Sequence, residues 1–256
     1  MSTGIRIKRD VALPRALEIV EKLRPVCEQI EIAGSLRRGK EAVGDIEIVA
    51  VPKIEVWCNA VQLDLFGNSP VSGVEETNLL DKKLEELVAA GELYRERPFA
   101  HDRPAWGEKY KKAWTKVQAT KDTTLAQGAD GSALIQVDIF TATAENFGEI
   151  LTIRTGDAEF SRALVTHILY KTKYRQHDGA LIIKATGEVM PVPDERDYFR
   201  LAGAEWVAPE DRTGAAAVKA AQTGASGGED EEDQGAHTAP ALGIADRRRT
   251  QAVRDT

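Results

Sequence analysis

The chain lacks several features that mark other classes of protein. Its 256 residues include two cysteines, Cys27 and Cys58, and neither stands in a Cys-x-x-Cys motif or at the spacing of a metal site. No apolar run approaches the roughly 18 residues that a membrane span requires, and the first residues do not form a signal peptide. We therefore expect a cytoplasmic protein without membrane contacts, in the cytoplasm of a host cell if the gene is viral.

A net positive charge is also lacking. The formal net charge is −7, which argues against a general binder of polyanions. Lysine and arginine are nevertheless concentrated in residues 103–121 and 160–176, where they outnumber the acids. Because an approaching phosphate group responds to the local charge, these two segments remain candidates for contact with a polyanion.

The last residues of the chain are poor in the side chains that build a core. Residues 213–256 contain few aromatic or β-branched side chains and include a run of acids. Such a composition does not bury enough apolar surface to offset the loss of conformational entropy. We predict a disordered tail over residues 213–256.

Periodicity and turn residues predict the other elements. Apolar residues at helical spacing predict a first helix with Pro14 near its start. Asn78 is placed to cap another helix, which Gly91 ends. Residues 52–78 have turn-forming residues and little periodicity, which is typical of a loop or lid insertion. Strands are expected near residues 93–97, 114–119 and 133–140.

Two of the strand-like segments carry three carboxylates. In the segment after Gly44, side chains alternate between two faces, so Asp45 and Glu47 share a face and the apolar residues take the other. In residues 133–140 the apolar side chains face one way and Asp138 faces the other. If the two strands are neighbours in one sheet, the three carboxylates meet.

Three carboxylates at that spacing need cations to be held together. Hard oxygen donors without a nearby histidine or cysteine suit Mg²⁺, with Mn²⁺ as an alternative. Two such ions support phosphoryl or nucleotidyl transfer, one activating the attacking hydroxyl and the other holding a triphosphate. The competing interpretation is three solvated carboxylates without a shared role.

The loop before the first acidic strand has the residues of an anion site. Gly34 and Ser35 follow an apolar strand, and Gly44 helps to keep the loop open, so backbone N–H groups and the Ser35 hydroxyl can approach phosphate oxygens. Arg37 and Arg38 add fork-shaped cationic donors. Because adjacent residues rarely point at one ligand, Arg38 is the preferred phosphate ligand and Arg37 the alternative.

These segments resemble the nucleotidyltransferase superfamily, and specifically its DNA polymerase beta (family X) branch. The resemblance rests on Gly-Ser-x-Arg-Arg-Gly at residues 34–39, on Gly-Asp-Ile-Glu at residues 44–47, and on Asp138 as the third carboxylate. Thr155-Gly156 before a helix is similar to the beginning of the family's thumb. A hairpin, a short helix and a Pro-Glu-x-Arg ending extend the resemblance over residues 14–212.

The resemblance implies an α+β fold with two domains. A nucleotidyltransferase palm, with a mixed β-sheet and flanking helices, would occupy residues 1–150 and include the insertion at residues 52–78. A small α/β thumb would occupy residues 151–212. We expect no counterpart of the family's N-terminal lyase domain, since few residues precede the first helix.

The resemblance also implies an enzyme. It would be a Mg²⁺-dependent nucleotidyltransferase that adds dNMP from a dNTP to a primer 3′-hydroxyl, in gap filling, DNA repair or replication. Asp138 would hold the catalytic ion and draw off the hydroxyl proton, while Asp45 and Glu47 would bridge both ions. The residues expected to bind the nucleotide are Gly34, Ser35, Arg38, Gly44, Thr155 and Gly156.

The expected partners are a nucleoside triphosphate and DNA, as primer and template or as a gapped duplex, bound by a monomer. The basic segments 103–121 and 160–176 lie where the resemblance places contacts with the DNA backbone. Trp106 and Tyr110 are expected to anchor a loop, or alternatively to stack on a nucleotide.

Five positions depart from the family pattern. Glu47 stands in place of the usual Asp, which predicts looser metal geometry, Ser161 replaces an Asn that contacts the base, and Ala158 replaces a small acidic residue. Ile153 and Arg154 replace a Tyr-Phe pair that resists ribonucleotides. If aromatic bulk forms this barrier, we expect only modest selection of the sugar; if the backbone carbonyl of Ile153 forms it, selection should remain strong. Arg154 itself could contact phosphate or primer, or lie in solvent.

Two further functions stay open. One is a template-independent nucleotidyltransferase that acts on RNA, a small molecule or a protein. The other is a non-catalytic nucleic-acid-binding module, against which the intact set of three acids argues.

Overall fold

A computed structural model describes residues 6–58, 74–97, 105–118 and 132–225. Helices and strands are mixed along the chain, which confirms the α+β class. The helices are α1 Arg9–Leu23, α2 Gly34–Arg37, α3 Leu79–Ala89, α4 Phe147–Thr155, α5 Ala158–Lys171, α6 Glu195–Leu201 and α7 Gly214–Ala225.

Within these described ranges, the strands form one central sheet and three smaller ones. They are β1 Ile7–Lys8, β2 Cys27–Ile32, β3 Ala42–Val43, β4 Asp45–Pro52, β5 Ile54–Cys58, β6 Val74–Asn78, β7 Tyr110–Gln118, β8 Ser132–Thr141, β9 Tyr174–His177, β10 Ala180–Ile183 and β11 Val189–Met190. The central sheet has the order β2-β4-β8-β7, and its inner pair β4-β8 is parallel while the outer pairs are antiparallel. It is therefore the mixed sheet that the sequence predicts.

The two faces of the central sheet have different partners. Ile46 and Ile48 of β4 lie in the main core with Val137 and Ile139 of β8, and α1 and α3 contribute to the same cluster. On the opposite face, Val49 and Phe140 pack with α4. The alternation predicted for both strands is thus confirmed, and α4 lies on the face that carries the acids.

A C-terminal subdomain follows α4 and has its own core. Asp157 caps α5 by accepting a hydrogen bond from the Phe160 N–H. One side of α5 then buries Phe160, Leu164 and Ile168 against α6 and the sheet β9-β10-β11. The helix predicted after Gly156 is therefore present and supplies the centre of this second core.

The prediction of a disordered tail is wrong for residues 214–225. Residues Gly214–Ala225 form α7, which packs along α5 and buries Val218 and Ala221 in the subdomain core. The segment lacks aromatic residues, but it is rich in alanine, the best helix former, and small residues allow two helices to approach closely. The prediction for residues 226–256 lies outside the described residues.

Three other expectations need correction. The first helix begins at Arg9, five residues before Pro14, which therefore lies inside it. Near residues 93–97 a single bridge from Tyr94 to Trp114 replaces the expected strand. The ends of the 52–78 segment are not loops, because β5 and β6 pair as antiparallel strands; residues 59–73 lie outside the described residues.

The helix capped by Asn78 is confirmed, since the Asn78 side chain accepts a hydrogen bond from the Asp81 N–H.

Candidate active site

The three predicted carboxylates lie on one face of the central sheet. β4 and β8 are parallel neighbours in which Glu47 pairs with Asp138 and Asp45 pairs with Gln136. The apolar residues between them enter the main core from the other face. The fold thus brings together acids that are about ninety positions apart in the chain, as the alternation of side chains along strands predicts.

Asp138 is held by two side chains that the sequence analysis did not assign to it. The Tyr110 hydroxyl donates a hydrogen bond of 2.7 Å to its Oδ1. Gln136 Nε2 donates to both carboxylate oxygens at 2.9 Å. Gln136 could have been inferred from the sequence, because it lies two residues away on the same face of β8, whereas Tyr110 required knowledge of the strand order.

Burial raises the pKa of all three carboxyl groups. The pKa of Glu47 reaches about 8, first through burial and then through the negative charges of Asp45 and Asp138. Burial and Asp138 raise the pKa of Asp45. For Asp138, burial raises the pKa against the opposing effect of hydrogen bonds from Tyr110 and Gln136. The cluster is therefore costly to ionise without added positive charge.

The chemistry of this donor set fits a hard divalent cation. Within the described ranges, no three acidic, histidine or cysteine side chains are close enough together to hold a metal ion as they stand. A divalent cation would offset the mutual repulsion of the carboxylates, and sets of oxygen donors suit Mg²⁺ or Mn²⁺. Asp45, Glu47 and Asp138 are the residues that would hold such an ion.

The sequence predicts an open loop at the candidate phosphate site, whereas Gly34–Arg37 form the short helix α2. Gly34 begins this helix beside the acidic strands. Its φ is +62°, and a Cβ at this position would lie 1.8 Å from Glu47 Oε2. Only glycine allows both the left-handed backbone and this close approach. The backbone of the predicted phosphate loop therefore lies directly against one of the three carboxylates, while Gly44 separates β3 from β4 just before Asp45.

Two polar atoms of the loop are buried without a hydrogen-bond partner among the described residues. They are Ser35 Oγ and Arg38 Nε. A buried polar atom without a partner costs free energy, so these atoms fit a site that a polar ligand completes. Arg38 Nη1 also donates to the Thr155 carbonyl at 2.5 Å, which links the loop to the end of α4.

The Arg37 guanidinium forms hydrogen bonds within the protein, so Arg37 is not the preferred phosphate ligand. Its guanidinium forms two hydrogen bonds of 2.7 Å with the Glu195 carboxylate and one of 2.8 Å with Thr155 Oγ1. Arg212, which is fully buried, donates to the same carboxylate at 2.5 Å. This network joins the loop to the C-terminal subdomain, and it leaves Arg38 as the phosphate ligand to test.

Ile153 and Arg154, which are expected to affect selection of the sugar, contact other residues of the protein. The Arg154 guanidinium lies 3.8 Å from the centroid of the Phe140 ring, and the residue is exposed, as expected for the alternative in which it lies in solvent. Ile153 packs against the core of the C-terminal subdomain, and its carbonyl accepts from Ser161 Oγ at 2.7 Å. Gly156 is packed tightly too, because a Cβ there would lie 2.5 Å from the Phe160 ring.

Trp106 and Tyr110, which the sequence predicts to anchor a loop or to stack on a nucleotide, have different surroundings. Trp106 anchors its segment through Glu85, which accepts from Nε1 at 3.1 Å, and through Arg95 over its ring. Tyr110 lies in β7 rather than in a loop. Residues 103–104 and 119–121 of the basic segment lie outside the described residues.

Comparisons with known proteins assign a family to the C-terminal part of the chain. Residues 150–213 match the family described as DNA polymerase beta thumb. No curated protein matches the sequence. Among the described segments, every helix is too short or too polar to cross a bilayer.

Proposed function

From the premise that residues 150–213 are a thumb domain of the DNA polymerase beta type, we propose that the chain is a DNA polymerase X-like nucleotidyltransferase. It adds dNMP from a dNTP to the 3′-hydroxyl of a DNA primer and releases pyrophosphate, as the bond between the α- and β-phosphates breaks. The observation that carries the proposal is the in-register pair Glu47 and Asp138 on parallel strands, with Asp45 on the same face and the Gly34 loop against Glu47.

In this proposal each part of the site has a distinct task. Bound Mg²⁺ supplies positive charge to the attacking hydroxyl and the triphosphate. Asp138, beside the site of attack, accepts the proton of the 3′-hydroxyl, and Asp45 and Glu47 complete the set of oxygen donors. Arg38 and Ser35 bind phosphate oxygens through the buried Nε and Oγ atoms that lack partners among the described residues.

Thr155 and Gly156 contribute through position. The Thr155 carbonyl accepts from Arg38 and its hydroxyl accepts from Arg37, so the beginning of the thumb is tied to the phosphate loop. A nucleotide bound at this junction would contact both parts of the chain. The thumb family supports DNA as the partner, through the basic residues of α5 and of the strands after it.

The test is the substitution Asp138→Asn, assayed by primer extension on gapped DNA with Mg²⁺. We expect kcat to fall at least 10³-fold, about 4 kcal/mol of transition-state stabilisation, while the affinity for dNTP changes less than threefold. Asp10→Asn, at an exposed acid in the first turn of α1, is the matched control and should retain activity. Turnover of Asp138→Asn within tenfold of the parent would contradict the proposal.

One observation favours a second candidate, a template-independent nucleotidyltransferase with RNA or another acceptor. Arg154 lies over Phe140 where the family pattern has an aromatic residue next to the sugar, so the expected barrier to ribonucleotides is altered. The same assay, run with gapped, blunt, single-stranded and RNA primers and with dNTP and NTP, separates the candidates. Activity that requires a template and prefers dNTP supports the polymerase.

A further inference from the structure

Tyr110 is placed to act on Asp138 from a neighbouring strand. In the antiparallel pair of β7 and β8, Tyr110 is opposite Phe140 and Lys112 is opposite Asp138. Tyr110 therefore reaches Asp138 along the diagonal, a distance that a long aromatic side chain spans. Its hydroxyl donates to Asp138 Oδ1 at 2.7 Å.

The two oxygens of Asp138 are not equivalent in this arrangement. Among the hydrogen bonds between described residues, Oδ1 accepts from both Tyr110 and Gln136, whereas Oδ2 accepts from Gln136. The additional bond restricts rotation of the carboxylate and leaves Oδ2 as the oxygen with more free lone-pair capacity. Carboxylates that bind metals are commonly oriented by such outer hydrogen bonds, and removal of one typically lowers metal affinity or activity 10- to 100-fold.

The position of the Tyr110 ring is itself fixed by a stack of side chains. The ring stacks on Phe140 with centroids 5.2 Å apart and planes inclined by 21°. The guanidinium of Arg154, from α4, lies 3.8 Å from the centroid of Phe140. Aromatic stacking and a cation over a ring each favour one geometry, so the stack holds the Tyr110 hydroxyl at the carboxylate.

We propose that Tyr110 is a positioning residue for Asp138, and that the stack of Tyr110, Phe140 and Arg154 maintains the carboxylate in the orientation that binds the cation and receives the hydroxyl proton. The inference rests on the proposed function, because it assigns Tyr110 a role in that reaction. Tyr110 does not contact the reacting atoms in this proposal. Its contribution is made through Asp138.

The test uses the full chain with Tyr110→Phe, which keeps the ring and its stacking and removes the hydroxyl. Primer extension should show kcat reduced 10- to 100-fold, with the KM for dNTP and the Kd for gapped DNA within twofold of the parent. A titration with Mn²⁺, followed by electron paramagnetic resonance without substrate, should show affinity reduced by about tenfold. The melting temperature should be unchanged.

Two variants sharpen the test. Tyr94→Phe, at a partly buried tyrosine outside the candidate site and outside both basic segments, is the matched control and should leave kcat and Mn²⁺ affinity unchanged. Phe140→Leu keeps an apolar side chain but removes the stack, so it should lower kcat in the same direction. Combined with Tyr110→Phe it should cause little additional loss, because both changes release the same carboxylate.

The outcomes separate this inference from the proposed function. If the parent protein incorporates nucleotides and Tyr110→Phe has the same kcat and Mn²⁺ affinity, the inference alone is overturned. A loss of kcat with an equal loss of folding stability would also overturn it, since the role would then be structural. If the parent incorporates no nucleotide, the proposed function fails, and the Mn²⁺ titration still decides whether Tyr110 positions Asp138.

Discussion

Gly34 shows how one residue can set the geometry of a site. Its left-handed backbone alone would favour glycine, but Gly39, five positions later, has a similar φ of +72°. The two differ in their surroundings, because a Cβ at Gly34 would overlap the Glu47 carboxylate whereas a Cβ at Gly39 would meet no atom within 4 Å. The pair therefore separates the cost of backbone strain from the cost of displacing an acidic side chain.

We predict that Gly34→Ala lowers kcat at least tenfold more than Gly39→Ala. Both variants carry the strain of a left-handed alanine, about 1–2 kcal/mol, and both should show a similar fall in stability from that source. Only Gly34→Ala forces the Glu47 carboxylate to move. Primer-extension kinetics and urea unfolding of both variants provide the measurement, and equal kcat values would show that the contact with Glu47 has no role in turnover.

At the scale of elements, α7 is the helix for which the amino-acid composition led to the wrong prediction. The family match ends at residue 213 and the helix begins at Gly214, where it adds to the core of the C-terminal subdomain. The Gly214 N–H donates to the Asp157 carboxylate that also caps α5, and the Glu205 N–H donates to the Ala221 carbonyl. These hydrogen bonds connect the beginning and the later part of α7 to the rest of the subdomain.

We predict that truncation after Thr213 destabilises the protein by about 2–3 kcal/mol, since it exposes the surface that Val218 and Ala221 cover. Truncation after Ala225 is the matched control, because it retains all of α7. Thermal unfolding of the two truncated proteins should differ by several degrees, a shift expected for this loss in a domain of this size. Equal melting temperatures would mean that α7 contributes nothing to the folded state.

At the scale of the whole molecule, two buried carboxylates near the junction of α4 and the thumb give the fold opposite responses to pH. Burial alone would raise the pKa of Glu195, but hydrogen bonds from Arg37 and Arg212 hold it below the usual value. No cation among the described residues acts on Glu149 in this way. Burial raises its pKa to about 7, although hydrogen bonds from Gln176 and the backbone oppose the change.

The sign of the Glu149 effect follows from proton binding. Its folded-state pKa lies above the unfolded value, so between about pH 4.5 and 7 the folded state binds more protons than the unfolded state. Stability from this group is greatest below about pH 4.5, falls as the pH rises to about 7, and is constant above that value. Glu195 acts in the opposite sense and loses its contribution as the pH falls through its lowered pKa.

We predict that Glu149→Gln raises the free energy of unfolding at pH 8 by about 2–3 kcal/mol, because a neutral amide avoids the cost of a buried charge. The amide oxygen can still accept from Gln176, which donates to Glu149 Oε1 at 2.8 Å. The gain should disappear near pH 4.5. Urea unfolding at both pH values measures it, with Glu159→Gln at an exposed helix position as the control; an equal change at both pH values would contradict the assignment.

Much of the candidate site could be predicted because it depends on local rules. The alternation of side chains along a strand placed Asp45 and Glu47 on one face and Asp138 on a matching face, and the glycines and arginines of the loop indicated an anion site. The mistaken expectations concern segments in which local signals are weak. A run of alanines does not distinguish a packed helix from a tail, and turn residues do not show whether the strands between them pair.

These local rules follow from backbone geometry and side-chain chemistry and depend on neighbouring residues. They were therefore sufficient to predict the class of fold, the three acids and the type of chemistry. The partners of those acids were decided by tertiary structure. Tyr110 contacts Asp138 because β7 pairs with β8 in one register. Arg37 contacts Glu195 because the C-terminal subdomain packs against α2. Strand register and the packing of distant segments depend on which surfaces the whole chain buries, so they cannot be predicted from neighbouring residues alone.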